Sequence, residues 1–343
     1  MTEENNTVFG NDSFTFFGPM DMAFHEDGIV LDDPDSVKLV VSVLMGIAMV
    51  LSIVGNVCTC AVIARDRSMR TPTNCYLFNL AITDILTILF VPIEIYMIWL
   101  PDFYPLGEEG CRIHYMLFSC LCNCSVLTIS AFTVERYMVV SKPFLRQTLS
   151  CNSRVLKIIL AIWAIAISFC IPDMFYIDFL EKKKYVYCYF TLSYTMRIFV
   201  GLQLFVFFVV PMTIIFVLYV LIAIKLKCAQ PKLRNSPKTG NQGRDKAVKM
   251  LAAVAALFFF CWSPYCVLRI MMIFPKYKYE DYYNVWMKLN YISAINGYMS
   301  TAVNPILYNL MSHKFRHAFK VSCCINLYIS YLSLFFLFIS FFK

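Results

Sequence analysis

Residues 111–137 read CRIHYMLFSCLCNCSVLTISAFTVERY, an apolar stretch that ends in the ionisable triplet Glu135-Arg136-Tyr137. Arg136 follows Cys111 by 25 positions, and because a helix rises ~1.5 Å per residue, the two lie roughly 37 Å apart, enough to cross a bilayer. We therefore expect Cys111 at the outer face of a membrane and the triplet at the inner face. An ion pair between Glu135 and Arg136 is predicted to act there as a latch.

The composition of the whole chain also indicates a membrane protein. Of its 343 residues, 59% are hydrophobic and 15% are charged, which is too apolar for a soluble globular protein covered by its own polar surface. The sequence predicts an all-α membrane protein, a seven-transmembrane helix bundle over residues 37–311. Seven apolar stretches are each long enough to span, at approximately residues 37–64, 74–99, 111–140, 155–176, 198–224, 247–274 and 285–311.

Charged residues predict the orientation of this bundle, because Lys and Arg in short loops are retained in the cytoplasm. Basic residues follow the first, third, fifth and seventh stretches, whereas the first 37 residues contain nine acids and no Lys or Arg. Asn5 and Asn11 begin Asn-x-Thr/Ser acceptors for glycosylation. We expect a multi-pass plasma-membrane protein with an extracellular tail over residues 1–36 and a cytoplasmic C-terminus. This topology accounts for the net charge of +8 without nucleic acid as a partner.

Two of the 15 cysteines are expected outside the membrane. Cys111 and Cys188 both fall on the oxidising outer side, so a disulfide between the third span and the second outer loop is predicted. Cys120, Cys122 and Cys124 suggest a metal site by their spacing. On a helix they spread over about 200°, which favours packing over convergence on one ion.

Polar and helix-breaking residues recur inside the spans in a distinctive order. They are Gly55-Asn56, Leu80-Ala81 with Asp84, Glu135-Arg136-Tyr137, Trp163, Pro211 with Tyr219, Phe258 with Cys261-Trp262-Ser263-Pro264, and Asn304-Pro305-Ile306-Leu307-Tyr308. In this order and spacing they resemble the rhodopsin-like (class A) family of G-protein-coupled receptors. The resemblance covers residues 37–324.

The resemblance implies an activation switch along the bundle. Trp262 would form the floor of an outer ligand cavity, Phe258 would relay ligand contact to an outward swing of the sixth helix, and Arg136 would shape the G-protein crevice. The simpler alternative for Arg136 is an interfacial arginine that reaches the headgroups. The switch residues so implied are Trp262, Phe258, Pro264, Asn304, Pro305, Tyr308 and Tyr219, with Glu135, Arg136 and Tyr137 for G-protein coupling.

A polar cluster is expected near the middle of the membrane. Asp84 is costly there without partners, and Asn56, Ser125, Ser300 and Asn304 face it if the spans bundle as in that family. Such a cluster can bind an allosteric Na⁺ ion or take up a proton and so favour one packing of the bundle. The alternative is a hydrogen-bond cluster that only joins helices.

The ligand class follows partly by exclusion. Amine receptors of this family carry an Asp where this chain has Phe118, and opsins carry a Lys where it has Tyr298. The predicted outer loops are charged and tethered by the disulfide, which suits a peptide but leaves a lipid or other small ligand open. The charges are Glu108, Glu109, Asp173, Asp178, Glu181 and Lys182-Lys183-Lys184.

Two ionisable residues near the outer ends of spans refine this interpretation. Glu94 and Arg269 are each costly unless paired, either with one another or with ligand groups such as a peptide Arg and a C-terminal amide. The segments 91–99, 104–111 and 125–137 look like those of the neuromedin U, pyrokinin, capa and ghrelin receptors, in which both positions help to form the peptide pocket. Several of those receptors carry an acid where this chain has Ser119. The resemblance implies a short, often amidated neuropeptide and a Gq-type heterotrimeric G protein.

The end of the chain follows the family only in part. Residues 312–324 predict a short amphipathic helix on the inner leaflet, in contact with membrane lipid, and Cys323 and Cys324 are candidates for palmitoylation. Residues 325–343 are almost entirely apolar, as in an added membrane segment or a faulty gene model. The family implies arrestin as a partner, but its regulation through a phosphorylated polar tail does not follow from this sequence.

Two other classes of protein fit the motifs less well. A seven-span transporter would use Asp84 and Glu94 as ion relays, but the inner half of the bundle offers few further carboxylates. A membrane-embedded enzyme would need a nucleophile with its base or a set of metal ligands, and the motifs contain neither.

Overall fold

The computed structural model describes residues 16–17, 33–141, 152–182, 185–228, 239–274 and 279–311, with some side chains at the ends of these ranges left out. The predicted helix at 312–324, the tail at 325–343 and the modification candidates Asn5, Asn11, Cys323 and Cys324 lie outside the described residues. Within them the chain forms nine α-helices: α1 Asp35–Arg65, α2 Pro72–Ile88, α3 Val91–Trp99, α4 Gly107–Ser141, α5 Asn152–Cys170, α6 Tyr194–Leu204, α7 Val210–Cys228, α8 Thr239–Ile273 and α9 Tyr279–Met311.

These helices make seven rods, because two of the predicted spans are each built from two helices. α2 ends at Ile88 and α3 begins at Val91, with Pro92 in the first turn of α3, where its missing N–H is tolerated. α6 and α7 are joined by a π-helical turn, Phe205–Val209. The fourth rod extends past α5 as a 3₁₀ helix, Ile171–Phe175. The all-α seven-helix bundle predicted from the sequence is confirmed.

Packing places α4 at the centre of the bundle, in contact with α2, α5 and α7, while α9 packs between α1 and α8. Within the described ranges, six of the rods are long and apolar enough to cross a membrane. The seventh, α9, is 33 residues long but carries more polar side chains. Buried Ser293 and Thr301 are among them, which is consistent with a helix that faces polar partners inside the bundle.

A β-hairpin covers one end of the bundle. Its strands β2 Ile177–Lys182 and β3 Tyr185–Leu192 pair antiparallel, and the two-residue strand β1 Phe16–Phe17 adds to the other edge of β3. A disulfide joins Cys188 in β3 to Cys111 in the first turns of α4, as predicted. We call this end of the bundle the hairpin end and the opposite one the Arg136 end.

The three closely spaced cysteines of α4 point to different neighbours. Cys120 and Cys124 pack with Ile162 and Ala166 of α5, whereas Cys122 belongs to the main core cluster between the other helices. This divergence is the one that helical geometry predicts.

Candidate functional site

A cavity of ≈ 420 Å³ opens beneath the hairpin and extends into the bundle. Side chains of α2, α3, α4, α8 and α9 form its walls, and residues 186–190 of β3 cover it. The disulfide therefore fixes the strand that roofs the cavity. All five residues predicted to contact a ligand line it: Glu94, Phe118, Ser119, Arg269 and Tyr298.

Glu94 sits at one side of the cavity mouth, beside an imidazole that sequence reasoning missed. Its Oε1 atom lies 3.8 Å from Nε2 of His114, and Nδ1 of His114 lies 2.9 Å from the hydroxyl of Tyr104. Burial, followed by the charge of Glu94, raises the pKa of Tyr104, so this hydroxyl stays protonated. His114 is only 2% exposed. Its position one helical turn after Cys111 was the feature of the sequence that could have predicted a polar contact at this end of α4.

Arg269 lies across the cavity on α8 and has different partners. Its Nε donates a hydrogen bond of 2.8 Å to the hydroxyl of Tyr265, one turn earlier, and its guanidinium lies 5.1 Å from the centre of that ring. Among the described residues, no ion pair joins Arg269 to Glu94, so the alternative in which these two pair with each other is wrong.

Aromatic side chains form the floor of the cavity. The rings of Phe118 and Tyr298 lie 5.9 Å apart in an edge-on arrangement, and those of Phe258 and Trp262 lie 6.0 Å apart. Trp262 is buried, and its indole nitrogen makes no hydrogen bond within the described part of the chain.

Two prolines interrupt the helices that flank this floor. Pro264 lies inside α8 and Pro305 inside α9, where each removes a backbone hydrogen bond and permits a bend. Their predicted role as hinges stays a prediction.

The predicted polar cluster is only partly assembled as expected. Asn304 Nδ2 donates to Asp84 Oδ2 at 2.8 Å, and both residues line the cavity together with Ser125 and Ser300. The two serine hydroxyls donate elsewhere, Ser125 to the Thr83 hydroxyl and Ser300 to a backbone carbonyl.

Asn56, which was expected to face Asp84, makes its hydrogen bonds with other residues. Its amide donates 3.0 Å hydrogen bonds to the Ser52 and Thr301 carbonyls. Asn56 therefore joins α1 to α9 and does not bond to Asp84.

At the Arg136 end, the predicted ion pair between Glu135 and Arg136 is also wrong. The Glu135 carboxylate accepts hydrogen bonds of 2.7 and 2.8 Å from Nη2 of Arg154, near the start of α5. Neighbouring residues of a helix point about 100° apart and do not face each other, so Glu135 meets α5. Arg136 instead lies 5.1 Å from the centre of the Phe132 ring on its own helix.

Other predicted residues at this end are placed as follows. Tyr219 on α7 accepts a hydrogen bond of 3.4 Å from the Thr133 hydroxyl, three residues before Arg136. The ring of Tyr137 lies 5.0 Å from the ammonium of Lys225. Tyr308 lies in α9, but its side chain is outside the described part of the structure. The geometry thus brings α4 and α7 together around Arg136.

The amino-acid sequence is similar to those of known membrane receptors. A family model described as "7 transmembrane receptor (rhodopsin family)" matches residues 55–308. The pyrokinin-1 receptor of Drosophila melanogaster is 33% identical over 346 aligned residues, which cover 84% of this chain and 80% of that receptor.

Two vertebrate receptors are similar to the same extent. The neuromedin-U receptor 2 of Mus musculus is 33% identical over 82% of this chain and 75% of its own length. The thyrotropin-releasing hormone receptor of Gallus gallus is 33% identical over 80% of this chain and 75% of its own length.

Proposed function

Because the chain belongs to the rhodopsin family of seven-transmembrane receptors, we propose that it is a neuropeptide receptor that couples ligand binding at the hairpin end to a heterotrimeric G protein at the Arg136 end. The family consists of G-protein-coupled signalling receptors and not of enzymes. The chain is accordingly a multi-pass membrane protein. Three parts of the proposal go beyond the family assignment: the ligand, the side of the membrane from which it enters, and the type of G protein.

The observation that carries the peptide assignment is the cavity with ionisable groups on opposite walls. Glu94 offers a carboxylate and Arg269 a guanidinium, and aromatic rings lie between them. A short peptide with a basic side chain and a carbonyl or amide terminus would meet both groups. The names of similar receptors, for pyrokinin, neuromedin U and thyrotropin-releasing hormone, support a short peptide, and we expect it to be amidated.

The signal from a bound ligand would pass through the bundle by way of free space beneath the aromatic floor of the main cavity. A second, small cavity of ≈ 40 Å³ lies between Phe258, Tyr76, Leu80 and Leu307, and it shares Asn304 with the main cavity. Helix α8 can repack into free space of this kind at low cost, whereas a fully packed core would resist it. Movement of α8 would then open the crevice beside Arg136 to the G protein, for which we favour a Gq type.

Orientation and the ion complete the proposal. We place the hairpin end outside the plasma membrane and the Arg136 end in the cytoplasm, as the distribution of basic residues indicates. We also expect a Na⁺ ion beside Asp84, within reach of the Ser125 and Ser300 hydroxyls. Such an ion would favour the packing in which Asn304 bonds to Asp84.

The test is intracellular Ca²⁺ in cells that express the full chain, challenged with short amidated peptides that include neuromedin U-like and pyrokinin-like sequences. A potent, saturable response in expressing cells alone would support a peptide receptor with Gq-type coupling. The matched control is Arg136→Ala at equal surface expression, which should abolish the response and leave labelled-peptide binding largely intact.

Two results would count against parts of the proposal. Full signalling by the Arg136→Ala variant would remove this residue from the coupling step. Silence of the wild-type chain, with surface expression verified and G-protein readouts of other classes also silent, would reject the peptide assignment in favour of a lipid or other small ligand.

A further inference from the structure

A buried histidine lies behind the wall of the main cavity and faces Glu94. Glu94 and Tyr104 are among the described residues that line this cavity, and His114 is not. The Nε2 atom of His114 makes no hydrogen bond within the described part of the chain and lies 3.8 Å from Oε1 of Glu94. A buried polar atom without a partner is costly. The facing carboxylate can satisfy it after a shift of roughly 0.9 Å to ordinary hydrogen-bond distance.

The break between α2 and α3 brings Glu94 to this histidine. Phe90 lies in the break, and the N–H of Glu94, one turn later, donates to the Phe90 carbonyl at 3.1 Å. Side chains four positions apart lie on the same face of a helix, and the Phe90 ring is centred 4.9 Å from the imidazole. The rings of Tyr104 and Tyr115 are centred 6.1 and 5.1 Å from it. Packed among these rings, the imidazole has little freedom to turn away from Glu94.

Tyr104 decides which ring nitrogen of His114 carries the proton. Its hydroxyl lies 2.9 Å from Nδ1 and 3.4 Å from the Gly110 carbonyl oxygen, so the shorter contact is the one with the imidazole. When the hydroxyl donates to Nδ1, a neutral imidazole carries its proton on Nε2. An Nε2–H attracts the Glu94 carboxylate. In the opposite tautomer a lone pair on Nε2 would face that carboxylate and repel it.

We propose that His114, held by Tyr104, is a positioning residue whose Nε2–H orients one oxygen of the Glu94 carboxylate and leaves the other oxygen for a basic group of the ligand. The ligand part of this inference rests on the proposed peptide-receptor function. The Glu94 side chain is 26% exposed, so the carboxylate remains open to the cavity. A neutral donor orients it without cancelling its charge, whereas a cation in the place of His114 would compete with the ligand.

The first arm of the test needs no ligand and asks whether Tyr104 and His114 are bonded. Thermal unfolding of the purified full chain is measured for wild type, Tyr104→Phe, His114→Phe and the double variant. Tyr104→Phe should lower the melting temperature by roughly 1–2 °C in the wild-type background. It should have much less effect in the His114→Phe background, because the hydroxyl then has no imidazole to meet. Additive losses would overturn the tautomer assignment.

The second arm measures in cells how strongly the receptor prefers a basic ligand. The peptide of the amidated panel that activates the chain is compared with the same peptide carrying citrulline in place of Arg or norleucine in place of Lys. The readout is the ratio of the two potencies at equal surface expression. His114→Asn and His114→Gln form a matched pair, because the Asn amide reaches the position of Nδ1 and the Gln amide reaches that of Nε2.

The two variants should differ although both remove the imidazole. His114→Asn should lower the potency ratio about fivefold, whereas His114→Gln should keep it within about twofold of wild type. In the Glu94→Gln background, His114→Asn should lower the ratio no further, because His114 acts through the carboxylate. Equal losses in the Asn and Gln variants would refute the assignment of the donor to Nε2.

The other outcomes separate this inference from the proposed function. An unchanged ratio in His114→Asn, with both potencies reduced equally, would show a structural role and refute the positioning. A wild type that responds equally to the basic and neutral peptides would overturn the inference and leave the peptide receptor in place. A wild type that responds to no peptide would overturn both, while the stability cycle would still decide whether Tyr104 and His114 are bonded.

Discussion

Replacing Arg154 by Met should destabilise the receptor more than the loss of an equally short ion pair at its surface. The Glu135 side chain is 3% exposed and that of Arg154 is 31% exposed, with 2.7 Å between Nη2 and Oε2. Removing one partner of a fully buried pair costs about 3–5 kcal/mol, because it leaves a buried charge uncompensated. Since Arg154 is partly hydrated, we expect ~2 kcal/mol for Arg154→Met.

The assay is thermal unfolding of the detergent-purified chain, where ~2 kcal/mol corresponds to a fall of roughly 3 °C for a chain of this length. Met keeps much of the length and apolar surface of the arginine stem, so the loss reports the guanidinium. Arg112→Met is the matched control, because Arg112 and Glu108 are also 2.7 Å apart but are 33% and 53% exposed. Such a surface pair on one helix contributes about 0.5 kcal/mol or less.

Equal shifts for the two variants would refute the reasoning, since burial would then have no effect on the energy of the pair. An unchanged melting temperature for Arg154→Met, together with a weaker agonist response, would refute it differently. That result would mean that Glu135 turns to Arg136 when Arg154 is absent, as the sequence first suggested.

Three further predictions concern the cavity, the polar cluster and the disulfide. Glu94→Gln should weaken an agonist with a basic side chain about tenfold more than its neutral analogue, and equal losses in a binding assay would indicate a structural role for this carboxylate. Asp84→Asn should abolish any effect of Na⁺ on agonist affinity, measured with NaCl against an equal concentration of choline chloride; persistence of the effect would place the ion elsewhere. Cys111→Ser, Cys188→Ser and the double variant should lower the melting temperature by the same amount, because each removes the same bond, and a larger loss in the double variant would contradict this.

The order of the membrane-spanning helices could be read from the chain, whereas the strands β2 and β3 of the hairpin were not predicted. In lipid, the backbone N–H and C=O groups of an apolar run of about 20 residues find their hydrogen-bond partners when the run forms a helix. The seven rods and their approximate limits therefore follow from composition. The breaks within two rods were harder to predict. The π-turn at Phe205–Val209 ends two positions before Pro211, which lacks the N–H that would bond to the Phe207 carbonyl, so a break could be expected there but not its π-helical form.

The polar partners were predicted less well than the helices. Side chains that line the cavity were identified individually, among them Glu94 and Arg269, but their partners His114 and Tyr265 were not. The Asn79 amide is a similar case, because it accepts a hydrogen bond from the Trp163 indole and donates one to Thr128. These contacts join α2 to α5 and to α4 across 84 and 49 positions of the sequence.

The sequence by itself determined the membrane class, the number of helical rods, the disulfide and the family, since each depends on local composition or on motifs in fixed order. Only the tertiary structure decided which charges meet. Helical periodicity places Glu135 and Arg136 on different faces of α4, but it does not say which helix each face meets. The rotation and depth at which α5 packs against α4 place Arg154 beside Glu135, 19 residues away in sequence, and this packing results from the burial of many apolar side chains together.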